Sequence, residues 1–118
     1  MDSKISVKET TQQIIFKIEG DFDNLLCIKY KNLLTEIIAR RRSKLVVFDL
    51  SNTTFIDSSA IGLLLGRYKQ VKEYKGELIL CGINNMIKKT IAISGIALII
   101  ETFDDYYENI KEKISVYE

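Results

Sequence analysis

The stretch Lys44–Gly66, KLVVFDLSNTTFIDSSAIGLLLG, sets an unbroken apolar run ahead of a polar corner and a second apolar run. Leu45-Val46-Val47-Phe48 is β-branched and aromatic with no polar alternation, which predicts a strand buried on both faces. Such a strand needs a packed layer above and below it, so this segment constrains the whole chain. Ser51-Asn52-Thr53-Thr54 reads as a polar corner, followed by Phe55-Ile56. Asp57-Ser58-Ser59, just before the apolar segment Ala60–Leu65, reads as a helix start. The first turn of a helix carries unpaired N–H groups and the positive end of the macrodipole. Two hydroxyls and a carboxylate placed there stand where a phosphoryl group would be tolerated. The plain alternative is that Asp57 or Ser58 only caps the helix.

The remaining segments supply the layers. Ile5–Lys8 is a short candidate strand. Gln12–Glu19 is a clearer one, with Ile14, Phe16 and Ile18 alternating against Ile15, Lys17 and Glu19; a turn at Thr10-Thr11 makes the two a hairpin. Gly20-Asp21-Phe22-Asp23-Asn24 reads as a loop in which Asp23 or Asn24 caps a helix running to Arg41. Its core stripe is Leu26, Tyr30, Leu33, Leu34, Ile37 and Ile38, and Arg40-Arg41-Arg42 suits a helix C-terminus better than a nucleic-acid patch. On a helical wheel Ile61, Leu64, Leu65, Tyr68, Val71 and Lys72 share one face of the following helix, with Leu63 nearly opposite and Ser59, Gly66, Arg67 and Gln70 beside it. Gly62 and Gly66 weaken that helix relative to alanine, so another surface, within the domain or on a partner, is expected to approach closely. Tyr74-Lys75-Gly76 ends it. Leu78–Cys81 is a strand. Asn84 or Asn85 caps a short helix with Met86, Ile87 and Ile91 inward, and Ser94-Gly95 stops it. Ala97–Ile100 reads as a further strand, and Asp104 as the cap of a last helix with Phe103, Tyr107, Ile110 and Ile114 as its stripe. Strands alternating with helices predict an α/β domain with a mainly parallel sheet of four to five strands, an antiparallel N-terminal edge strand and about four helices.

Composition removes several function classes. One domain is expected from 118 residues. A net charge of +1 argues against nucleic acid or an acidic membrane as the main partner. Histidine is absent, which excludes serine and cysteine triads that use imidazole and every zinc site containing His. There is no P-loop and no nucleophile elbow, so no enzymatic activity and no cofactor are expected. Cys27 and Cys81 read as small core residues of a reducing cytoplasm, and no apolar run approaches membrane-spanning length. A cytoplasmic protein with its N-terminus retained is the expectation.

The segments FIDSSAIGLLLGRYKQVK, GELILCGINNMIKKTIAISGI and the early GDFD resemble, in order over essentially the whole chain, the STAS-domain anti-sigma factor antagonists, and in particular those of spore-forming bacteria. The resemblance implies that Ser58 is phosphorylated by an anti-sigma factor that is also an ATP-dependent serine kinase, with ATP and Mg²⁺ belonging to that kinase. It implies that the unphosphorylated form binds the anti-sigma factor and frees the sigma factor, and that a metal-dependent protein phosphatase reverses the modification. Gly20, Asp21 and Asp23 match the acidic loop that lies beside the phosphorylation site in the family. Asp57 is the preceding acid of the motif, Ser59 a contact or cap, and Leu63 and Arg67 are further partner-facing candidates. Two positions depart from the family: Ala60 stands where glycine is usual, and Asn84-Asn85 replaces a Ser-Pro-like turn. Phosphoserine adds about −1.5 to −2 charges, so the expected switch acts by charge, not by refolding. The alternatives are a STAS scaffold with no phosphorylation cycle and a receiver-like domain phosphorylated on Asp49 or Asp57. The latter would need a cluster of acids to hold a metal after the first strand, and none follows Ile5–Lys8.

Overall fold

The computed structural model describes the backbone of residues 2–114 and the side chains of residues 2–111. The elements are β1 (Lys4–Glu9), β2 (Gln13–Phe22), α1 (Asn24–Arg41), β3 (Leu45–Asp49), β4 (Thr53–Ile56), α2 (Ser58–Glu73), β5 (Glu77–Cys81), α3 (Lys88–Ser94), β6 (Glu101–Thr102) and α4 (Tyr107–Ile114), with a 3₁₀ turn at Ile96–Leu98. Among the described residues, six strands form the sheet, in the order β1-β2-β3-β5-β6 with β4 paired to β2 off that path. β1 is the antiparallel edge, and the other pairings among the described residues are parallel.

β3 is the inaccessible centre: Leu45, Val46, Val47 and Phe48 are each 0% exposed. Val46 and Phe48 join Ile14, Phe16, Ile18, Leu78 and Leu80 in the larger core under α1, α2 and α3. Leu45 and Val47 face the other way with Ile15, Ile79 and Cys81, and Ile110, Tyr107 and Phe103 cover that side. The Phe16 and Phe48 rings pack 5.1 Å apart at 36°, a tilted contact that adds to the apolar burial. Both cysteines are buried and unpaired. No described helix is long and apolar enough to cross a membrane.

The sheet has one strand more than expected. Thr53–Ile56, half of it read as a corner, is β4, and the loop expected at residues 20–24 is instead the continuation of β2 to Phe22. The two are one correction: β2 leaves β3, shifts register between Gly20 and Asp21, and pairs with β4 as Asp21↔Phe55 and Phe22↔Ile56. Gly20 makes that shift possible at φ +84, where a Cβ would also meet Ser3 Oγ at 2.7 Å. Thr53 is tolerated at a buried position because its Oγ1 donates to the Ile18 carbonyl at 2.9 Å.

Five further expectations are corrected. Ala97–Ile100 is not a strand. Gly95 ends α3 in the left-handed region, and the N–H groups of Leu98, Ile99 and Ile100 are used locally within the 3₁₀ turn. Asn84 does not cap α3. Its Nδ2 donates to the carbonyls of Leu50, Ser51 and Thr53 at 3.0, 3.2 and 2.9 Å, and its Oδ1 accepts from Met86 N; Met86 itself is 68% exposed. Asp104 lies three residues ahead of α4 and pairs with Lys88 at 3.0 Å. Leu33 is exposed, and Cys27 takes its place in the buried stripe of α1. The side chain of Ile114 lies outside the described residues.

Candidate functional site

The tips of β2, α1, β4 and α2 meet at one end of the sheet, and two carboxylates organise them. Asp23 is the N-cap of α1, its Oδ1 accepting from Leu26 N at 3.1 Å. Asp57 is the N-cap of α2, its Oδ1 accepting from Ala60 N at 3.0 Å. The other Asp57 oxygen, Oδ2, accepts from Asn24 N at 3.0 Å. One carboxylate therefore fixes the first turn of α2 and ties it to the first turn of α1. Ser59 Oγ donates to Asn24 Oδ1 at 3.1 Å, a second tie between the same two turns. Thr54 Oγ1 donates to Asp21 Oδ1 at 2.7 Å, and Asp21 N donates to Ser3 Oγ at 2.8 Å. Asn24, Thr54 and Ser3 had no place in the site from sequence alone, because each enters through a bond to a residue distant in the chain.

Ser58 is the first residue of α2 and is exposed. Among the described residues its hydroxyl has no side-chain hydrogen bond, in contrast to that of Ser59. It stands at the rim of a cleft of about 340 Å³ between α2 and α3, lined by Asp57, Ile61, Thr90, Ile93 and Ser94. Ile93 is 75% exposed there. Ala60, in contrast, is fully buried, so its methyl group points into the core, away from any reactant at Ser58.

The outer face expected for α2 is covered. Leu63 is only 5% exposed, because α1 lies over the side that the wheel left to solvent. Arg67 Nη1 donates to Thr35 Oγ1 at 2.7 Å and Gln70 Nε2 to the Thr35 carbonyl at 2.8 Å, both across to α1. The close approach expected over Gly62 and Gly66 does not come from the described residues of the domain: among them, a Cβ at either would meet nothing within 4 Å. Lys72, placed on the core face, is exposed and pairs with Glu77 at 2.9 Å.

The surroundings of both thiols disfavour the thiolate. Burial, with the carboxylates of Asp57 and Asp23 adding to it, pushes Cys27 up to about 11. Burial and then Asp49 push Cys81 up to about 12. Burial alone lowers the Arg67 guanidinium. Asp49 Oδ1 accepts from Ser51 N at 3.0 Å and so serves the turn after β3.

The STAS domain family profile matches residues 4–109. The chain is 29% identical over 105 residues to the anti-sigma F factor antagonist of Paenibacillus polymyxa, covering 89% of this chain and 90% of that protein. Its structure is similar to that of the anti-sigma factor antagonist SpoIIAA in its unphosphorylated form, at TM-score 0.75 and 17% identity over 94% of this chain and 97% of the other. The Bacillus cell fate determinant SpoIIAA in the phosphorylated form is similar at TM-score 0.73 and 18% identity, over 94% and 99% of the two chains. At such identities these likenesses speak to the fold. With the family match running from β1 into α4, this chain belongs to the STAS domain family.

Proposed function

We propose that this STAS domain is a cytoplasmic anti-sigma factor antagonist whose grip on its partner is switched by phosphorylation of Ser58. The observation that carries the reading is the exposed Ser58 hydroxyl at the first position of α2, beside a capped and therefore ordered turn. The P. polymyxa antagonist supports it as a relative over nearly the whole chain. The unphosphorylated domain docks an anti-sigma factor that is also a serine kinase. The apolar cleft bearing Ile61 and Ile93 and the polar tip bearing Asp21, Asp23, Asp57 and Ser59 flank the acceptor. Gly20 contributes through the backbone shift that brings Asp21 to this tip. The kinase supplies ATP and Mg²⁺, and a protein phosphatase resets the cycle.

The switch follows from charge. Phosphoserine adds about −1.5 to −2 charges. The N-terminus of α2 accommodates them in the free domain. Covered by a partner, they add to the three carboxylates already at this tip, Asp21, Asp23 and Asp57. Burying uncompensated charge costs several kcal/mol, and about 3 kcal/mol is already more than a hundredfold in affinity. Incubation with candidate anti-sigma factors and labelled ATP tests the reading. Wild type takes up acid-stable label, Ser58→Ala does not, and the modified peptide spans residues 51–67 with phosphate on Ser58. Ser58→Asp binds the anti-sigma factor about a hundredfold more weakly while its melting temperature stays close to that of wild type. Label on Ser59, acid-labile label, or equal binding by Ser58→Asp would overturn it.

A further inference from the structure

We infer that the groove between α1 and α2 is a second docking surface for the same partner, and that it takes a partner segment carrying a carboxylate. The inference rests on the antagonist reading above and extends the contact from Ser58 along α2. Its starting point is an unexplained cost. Gly62 and Gly66 sit inside a helix, where glycine is inferior to alanine. Neither adopts a left-handed conformation, and a Cβ on either would project into open space. Among the described residues, nothing packs against them in a way that requires glycine.

Together with Ser59 they follow the i, i+3, i+7 spacing of one helix face. That face forms one side of a groove of about 370 Å³, whose other wall is α1 through Asn24, Ile28 and Lys31. Bare backbone at Gly62 and Gly66 lets a second chain come closer than any side chain would allow. Ile28, 69% exposed, supplies apolar contact.

Charge specifies the occupant. The charged side chains lining the groove are Lys31 and Arg67, and among the described residues neither forms a salt bridge. Arg67 is held by Thr35, but its Nε is shielded from solvent without a hydrogen-bond partner. The nearby carboxylates, Asp23 and Asp57, lie towards the Ser58 end and are occupied as helix caps. The groove thus begins beside the phosphoacceptor and becomes basic away from it. A segment of the anti-sigma factor laid over the glycines, with its acid above Lys31 and Arg67, would neutralise both.

The test uses the kinase identified by its labelling of Ser58. Gly62→Ala and Gly66→Ala, singly and together, should raise the melting temperature of the free domain. The double variant should bind the unphosphorylated-state partner at least tenfold more weakly. Lys31→Glu, at an exposed position, should weaken binding several-fold and flatten its salt dependence. Labelling of Ser58 with unchanged affinity in all these variants would overturn the groove and leave the antagonist reading standing. Failure of any anti-sigma factor to label Ser58 would remove the antagonist reading, and this surface with it. Concentration-dependent self-association in sedimentation, abolished by the double alanine variant, would assign the groove to a second copy and overturn the proposal.

Discussion

Asp57 is where stability and the phosphoacceptor are coupled, and its substitution separates two contributions. One oxygen caps α2 through Ala60 N and the other holds Asn24 N of α1. Loss of an N-cap costs about 1 kcal/mol. A hydrogen bond to a charged acceptor is worth about 1.5 kcal/mol, towards the low end because this one is at the surface. Asp57→Ala loses both, about 2–3 kcal/mol, which for a domain of this size lowers the melting temperature by about 10 °C. Asn caps a helix as well as Asp does, but it has one acceptor oxygen in place of two and no charge. Asp57→Asn therefore keeps the cap, gives up the tie to Asn24, and loses about half as much, ~1–1.5 kcal/mol. Urea unfolding followed by far-ultraviolet circular dichroism measures the series wild type, Asn, Ala. An Ala variant within about 0.5 kcal/mol of wild type would refute the coupling, since surface substitutions that touch nothing fall in that range. An Asn variant as unstable as Ala would refute the division of labour between the two oxygens.

Other consequences are as direct. Asn84→Ala removes the donor shared among three carbonyls and the acceptor for Met86 N, and should cost about 2 kcal/mol in urea unfolding. Asn84→Asp, which turns an anion towards those carbonyls, should cost more than Ala. Alkaline stability is set partly by the thiols: unfolded cysteines ionise near 9, folded Cys27 and Cys81 only near 11 and 12. Above pH 9 the unfolded chain therefore binds fewer protons than the folded one, and stability falls as pH rises towards 11–12. Cys81→Ala should flatten that fall, read as unfolding midpoint against pH.

How far the sequence reaches depends on how local each decision is. The Asp57 cap, the Asp23 cap and the Gly95 stop all lie within one helical turn of the groups they serve, and they form where the residues place them. Leu63 went astray for the opposite reason. A helical wheel gives directions but not what lies in each, and α2 turned out to be covered on two sides, by the sheet and by α1. Arg67 and Gln70, read as outward-facing, are polar ties across that second interface. Of the candidate site, the motif Asp57-Ser58-Ser59 was legible, whereas Asn24 and Thr54 are visible only once β2 and β4 are paired.

By itself the sequence determined the strand at Leu45–Phe48, the two-faced alternation of β2, the helix start at Ser58 and the absence of imidazole chemistry, because each depends on neighbouring residues or on composition alone. The tertiary structure decided that Thr53–Ile56 is a strand, that Asn84 reaches three carbonyls of the β3–β4 segment, and that one Asp57 carboxylate joins two helices. Those outcomes require a partner some thirty residues away. The free energy of such a pairing resides in both segments together, so neither carries its signature alone.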